Sequence, residues 1–106
     1  MHNVRVMWLK ATQAEQIPAQ LDRSTLSPWH ALRSLEASRH TLSGVMRRAL
    51  KTDGRIKGFR SDVAGLLGYP IAHGAHHRGQ ITMLARRLGS PVPEKARFGM
   101  WEWGSR

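Results

Sequence analysis

Cysteine is missing from all 106 residues, which excludes disulfide stapling, thiolate catalysis and cysteine-ligated zinc together. Any metal would have to be held by histidine or oxygen. Acidic residues are scarce, 7 against 17 Lys and Arg, leaving a net charge of +10. No long apolar run occurs: the stretch Val4 to Leu9 is interrupted by Arg5 and followed by Lys10, too short for a membrane span or a signal-peptide core. A soluble cytoplasmic protein without a membrane partner is expected. Strand-like alternation is nearly absent, and neither an internal repeat nor a low-complexity tract interrupts the chain.

What is present points to a folded helical protein. An apolar fraction of 41% with four Trp is a globular composition, because disordered segments are poor in aromatics and cannot offset the entropy of ordering. The length suits one domain, residues 1–106. The positive charge raises a nucleic-acid reading, since clustered cations release counterions from phosphate. The basic residues are instead scattered, at Arg33, Arg39, Arg47, Arg48, Arg55, Arg60, Arg78, Arg86, Arg87 and Arg97. A solvated basic face is the reading this favours over a nucleic-acid partner. A basic helical nucleic-acid-binding or interaction module, with a structural metal or none, stands as the alternative function.

Residues His2 to about Gln13 read as a helix with His2, Val6 and Leu9 on one side and Val4, Met7, Trp8 and Ala11 on the other. Around Pro18 the pattern dissolves into a connector. Ser27 as N-cap and Pro28 at the first helical position open a second helix carrying Trp29, Leu32, Leu35, Leu42, Val45, Met46, Ala49 and Leu50, with Gly54 as its stop. A third helix begins at Ser61 and Asp62 and ends at Gly89 before Pro91 and Pro93. Pro70 lies inside it and is expected to kink or split it. The tail from Ser90 to Arg106 reads as irregular, with Phe98, Met100, Trp101 and Trp103 packing back on the helices.

Stepping by three and four along the third helix gives one stripe: Val63, Leu66, Pro70, His73, His77, Ile81, Leu84, Leu88. The two histidines are expected to point inward. Residues four apart on a helix have Cβ atoms about 5–6 Å apart, near enough for both rings to reach one ion at roughly 2.0–2.1 Å. Two imidazoles among Leu and Ile would otherwise each need a separate acceptor, whereas a shared cation satisfies both. A zinc-protease mechanism needs Glu directly after the first His as general base, and Gly74 stands there. An open three-ligand site is easier to build than a closed four-ligand one. His30 and His40 fall among polar neighbours, and His76 points about 100° away from His77. His2, on the stripe with Val6 and Leu9, is the third candidate ligand, one helix meeting a pair from another. His76 and Gln80 are candidates for an outer hydrogen bond to a ligating ring, and Arg78 for a grip on an anionic substrate or a solvated charge. No catalytic residue is assigned.

The run AHGAHHRGQITML from Ala72 to Leu84, the LARRLGSPVP that overlaps its end, the start HNVRVMWLK and the closing FGMWEWG resemble the DinB-like, damage-inducible family. The resemblance covers His2 through Trp103. It implies an all-α, up-and-down four-helix bundle, usually dimeric, with a divalent metal held by a histidine triad whose HxxxH pair falls on His73 and His77. Thiol-dependent transferases occur in the wider superfamily, so thiol-transfer or hydrolase-type chemistry on a small-molecule substrate is implied. The expected metal is zinc, nickel or manganese. Two departures accompany this. Family members carry a whole helix upstream, so the bundle is expected to be truncated at its N-terminus, and the first ligand is either His2 or lies on that missing segment. A homodimer is expected to cover the face of Val4, Met7 and Trp8 that the missing helix would leave open. The second departure is Pro70, one turn before His73.

Overall fold

A computed structural model describes residues 1–22, 24–60 and 62–99. Among these the chain is all-helical: α1 (His2–Ala11), α2 (Pro28–Ala49), α3 (Val63–Arg87) and α4 (Glu94–Phe98), with no strand. Two compact units are present, Met1–His73 and Gly74 onward, and α3 runs from one into the other.

In the first unit α1 buries the expected stripe of His2, Val6 and Leu9. Its C-terminus closes with the Gln13 N–H on the Lys10 carbonyl at 3.1 Å and the Ala14 N–H on the Leu9 carbonyl at 3.0 Å, the paired bonds of a Schellman motif. Gln13 sits at φ 53, where glycine is usual. The connector that follows has no regular structure but is fastened to α1. Asn3 donates from Nδ2 to the Leu21 carbonyl (3.0 Å) and accepts the Leu21 N–H on Oδ1 (2.8 Å), so one side chain satisfies both backbone groups of Leu21.

The second helix starts as its sequence dictates. Ser27 is extended, its Oγ accepts the His30 N–H at 3.1 Å, and Pro28 follows at the first position. Its buried face carries Ser38, Leu42, Val45 and Ala49. Ser38, fully buried, donates to the Leu35 carbonyl, so the hydroxyl is satisfied locally. Past Ala49 the chain turns at Gly54, and the loop to α3 is pinned by an isolated antiparallel bridge between Arg55 and Asp62. Ile56 from this loop joins Leu9, Ala14, Leu42, Val45, Ala49 and Leu66 in the core. At Gly58, φ is +74 and an added Cβ would lie 1.9 Å from the Ala11 carbonyl oxygen, so the loop backbone lies directly on the end of α1.

Asp62 opens α3, its Oδ1 accepting the Gly65 N–H at 3.0 Å as an N-cap does; the expected start at Ser61 lies outside the described residues. Contrary to a split at Pro70, α3 is one helix of 25 residues with that proline inside. Proline deletes a single hydrogen bond and strains the preceding turn, while helical bonding on both sides and the burial of Leu66 hold the backbone helical.

The expected inward stripe of α3 is only partly covered. Leu66 is fully buried and Val63 packs on the core, but Ile81, Leu84 and Leu88 are 56%, 56% and 74% exposed. Periodicity places side chains on a face, and among the described residues that face's far end is left exposed. The N-terminal end of α2 behaves alike, Trp29 and Leu32 being exposed. The face of Val4, Met7 and Trp8 is less open than expected. Met7 is exposed, Val4 and Trp8 are half-buried, and Trp8 meets Phe59 (centroids 5.0 Å) and Tyr69 (5.4 Å) edge to face.

In the second unit the Gly89 and Ser90 amides cap α3 by bonding the carbonyls of Arg86 and Ala85. The segment beyond is not wholly irregular. After Pro91 and Pro93 the chain forms α4, with the Pro93 carbonyl accepting from Ala96 and Arg97. Phe98 is 52% exposed rather than packed away. Met100, Trp101 and Trp103 lie outside the described residues.

Candidate metal centre

His2 opens α1 and is 4% exposed. Its Nε2 lies 2.8 Å from the Ala19 carbonyl oxygen. A carbonyl only accepts, so Nε2 carries the proton and Nδ1 holds the lone pair. That Nδ1 is buried with no hydrogen-bond partner. A ligating histidine typically has this wiring, one ring N–H fixed by a backbone carbonyl and the other nitrogen presented bare.

His73 is half-buried on α3 and stacks on Tyr69, centroids 5.8 Å apart and planes within 10°. It borders a cavity of about 10 Å³ shared with Trp8, Leu42, Leu66 and Pro70, at the limit of what one water needs. Arg5 also lines it, its Nη1 donating to the Leu35 carbonyl. Burial first, and repulsion from Arg39 second, lower the Arg5 pKa from its ordinary value, though a guanidinium remains charged in any case.

In the second unit His77 is half-buried and its Nδ1 lies 2.9 Å from Gln80 Oε1. The amide oxygen accepts, so the proton sits on Nδ1. Gln80, one of the two candidates for a hydrogen bond to a histidine ring, makes one to His77. His76 is exposed and meets the His77 ring edge to face at 5.3 Å. Arg78 is exposed along a groove described below. His30 and His40 are surface residues, as their neighbours suggested.

Among the described residues no group of three or more His, Asp or Glu side chains is gathered to hold a metal ion. Sequence reasoning missed the Ala19 carbonyl, for which a coil segment offers no signal. It also missed Tyr69, whose i−4 relation to His73 placed it on the same helical face. No described helix is long and apolar enough to cross a membrane.

No curated protein and no solved structure matches this chain. The family model described as DinB family matches residues 1–102, nearly the whole length and both units, and on that match the chain belongs to the DinB family.

Proposed function

We propose that this chain binds one divalent ion, zinc, nickel or manganese, through His73 and His77 of α3 with His2 of α1 as the third donor, and acts as a cytoplasmic metal-dependent enzyme of the thiol-transfer or hydrolase kind. The observation that carries the reading is the His2 ring. Leaving a buried acceptor unmatched costs about 1–3 kcal/mol, and a cation at Nδ1 would turn that cost into a bond. The wiring of His77 to Gln80 supports it at the second donor. An all-imidazole set suits a borderline cation such as zinc or nickel. Among the described residues no three such donors are gathered; Tyr69 stacks on the His73 ring and Gln80 bonds the His77 ring. A bound ion with an open position would supply Lewis acidity, lowering the pKa of a coordinated water or thiol. The site is proposed to work in a homodimer, a second copy covering the exposed Ile81, Leu84 and Leu88.

Metal analysis of the purified chain, as isolated and after incubation with zinc, nickel or manganese followed by desalting, tests this. One equivalent in the wild type, lost in His73→Ala, His77→Ala and His2→Ala alike, is the expected result. Retention in any α3 variant, or no bound metal in the wild type, overturns the site; retention in His2→Ala alone removes His2 from it.

A further inference from the structure

The second unit holds a groove of about 810 Å³ between the C-terminal half of α3 and the returning segment through α4. Its floor is apolar, built from Ala75, Gly79, Met83, Val92 and Phe98. Four arginines edge it: Arg78, Arg86, Arg87 and Arg97. Arg78 and Arg86 stand eight residues apart with Thr82 between, one row along the helix, and Arg97 adds a guanidinium 4.8 Å over the Phe98 ring. No ion pair to any of the four is present among the described residues. Like charges gathered without a counterion repel one another and gain from an anion between them. Arg86 is nine residues from His77, two and a half turns at 3.6 residues per turn, which puts it on the opposite side of the helix. Of the two histidines that α3 carries in this unit, His76 and His77, the groove lies on the side away from His77.

We infer that this groove binds a small amphiphilic anion, an apolar body seated on Met83, Val92 and Phe98 with its acid group among Arg78, Arg86 and Arg97. The volume lies in the range of small-molecule sites, roughly 300–1,000 Å³, which are apolar with a few placed polar groups. Charge decides the head group and the floor decides the body. A purely polar anion would leave the apolar floor wet, and a neutral hydrocarbon would leave the arginines unmatched. Guanidinium matches the planar, two-oxygen face of a carboxylate or the oxygens of a phosphate.

Isothermal titration of the full chain with decanoate, kept monomeric, is the test, beside decan-1-ol and inorganic phosphate as the body and the head alone. Saturable binding of one decanoate per chain, with both partial probes much weaker, is expected. In the double variant Arg86→Gln/Arg97→Gln the affinity should fall at least about tenfold, the loss of one charge-assisted hydrogen bond. Arg47→Gln, a cation on α2 outside the groove, should leave it unchanged. No saturable binding, which is also the outcome if residues 100–106 fill the groove, overturns the inference. So do one decanoate per two chains, which would mean a second copy seated there, an equal loss in Arg47→Gln, and binding to anionic phosphatidylglycerol vesicles in place of monomeric decanoate.

Discussion

Gln13 carries a conformational cost that its neighbours maintain. At φ 53 an L-residue with a side chain is disfavoured by about 1–2 kcal/mol, yet the two amide bonds closing α1 require that turn. Gln13→Gly should therefore stabilise the fold by roughly 0.5–1 kcal/mol, the relief of strain less the extra freedom glycine has when unfolded. Urea denaturation would register it as a higher midpoint with an unchanged slope, and Gln13→Val should move the midpoint the opposite way. His2 stores a different cost, a desolvated lone pair. Its Ala19 hydrogen bond fixes which nitrogen is bare, so if the metal site is correct, His2→Asn should weaken metal affinity by at least about tenfold, in line with the loss of an oriented ligand, as read by competition with a chelating dye.

Between elements, the Gly58 backbone lies directly on the end of α1. Gly58→Ala would drive a methyl into the Ala11 carbonyl while keeping a positive φ, so a loss of about 2–4 kcal/mol is expected. Gly54→Ala is the control: φ is +77 there too, but nothing lies within 4 Å of the added carbon, and about 1 kcal/mol should be lost. The difference between the two midpoints isolates the contact from the dihedral. Helix starts and stops were legible wherever a side chain or ring dictates them, at Ser27 with Pro28 and at Gly89 before Pro91, and so was the stripe of His2, Val6 and Leu9. The five residues of α4 were not, since a single turn has no period to read. The split at Pro70 did not follow, because a proline signals a lost hydrogen bond, not whether packing tolerates it. Of the candidate site, the HxxxH spacing and the His77–Gln80 neighbourhood were visible in the sequence; the Ala19 carbonyl was not, because every residue of a connector offers the same group.

For the molecule as a whole, the uncovered stripe of Ile81, Leu84 and Leu88 is the feature that spacing could mark but not interpret. If a second copy covers it, sedimentation should give a dimer for the wild type and a monomer for Leu84→Glu, with helical content unchanged because the residue is 56% exposed. A monomeric wild type at tens of micromolar would remove the dimer and leave the metal site to be judged on its own. With a net charge of +10, like molecules repel, so that dimer should tighten as salt rises. The fastening of the connector by Asn3 has a bearing on hydrogen exchange. Leu21 sits in coil, yet its amide is held at 2.8 Å by a side chain from the first turn of α1, one residue from His2. It should exchange slowly amid fast-exchanging neighbours, and its protection would rise or fall with whatever seizes the adjacent imidazole, making a single loop amide a gauge of the state of α1's first turn.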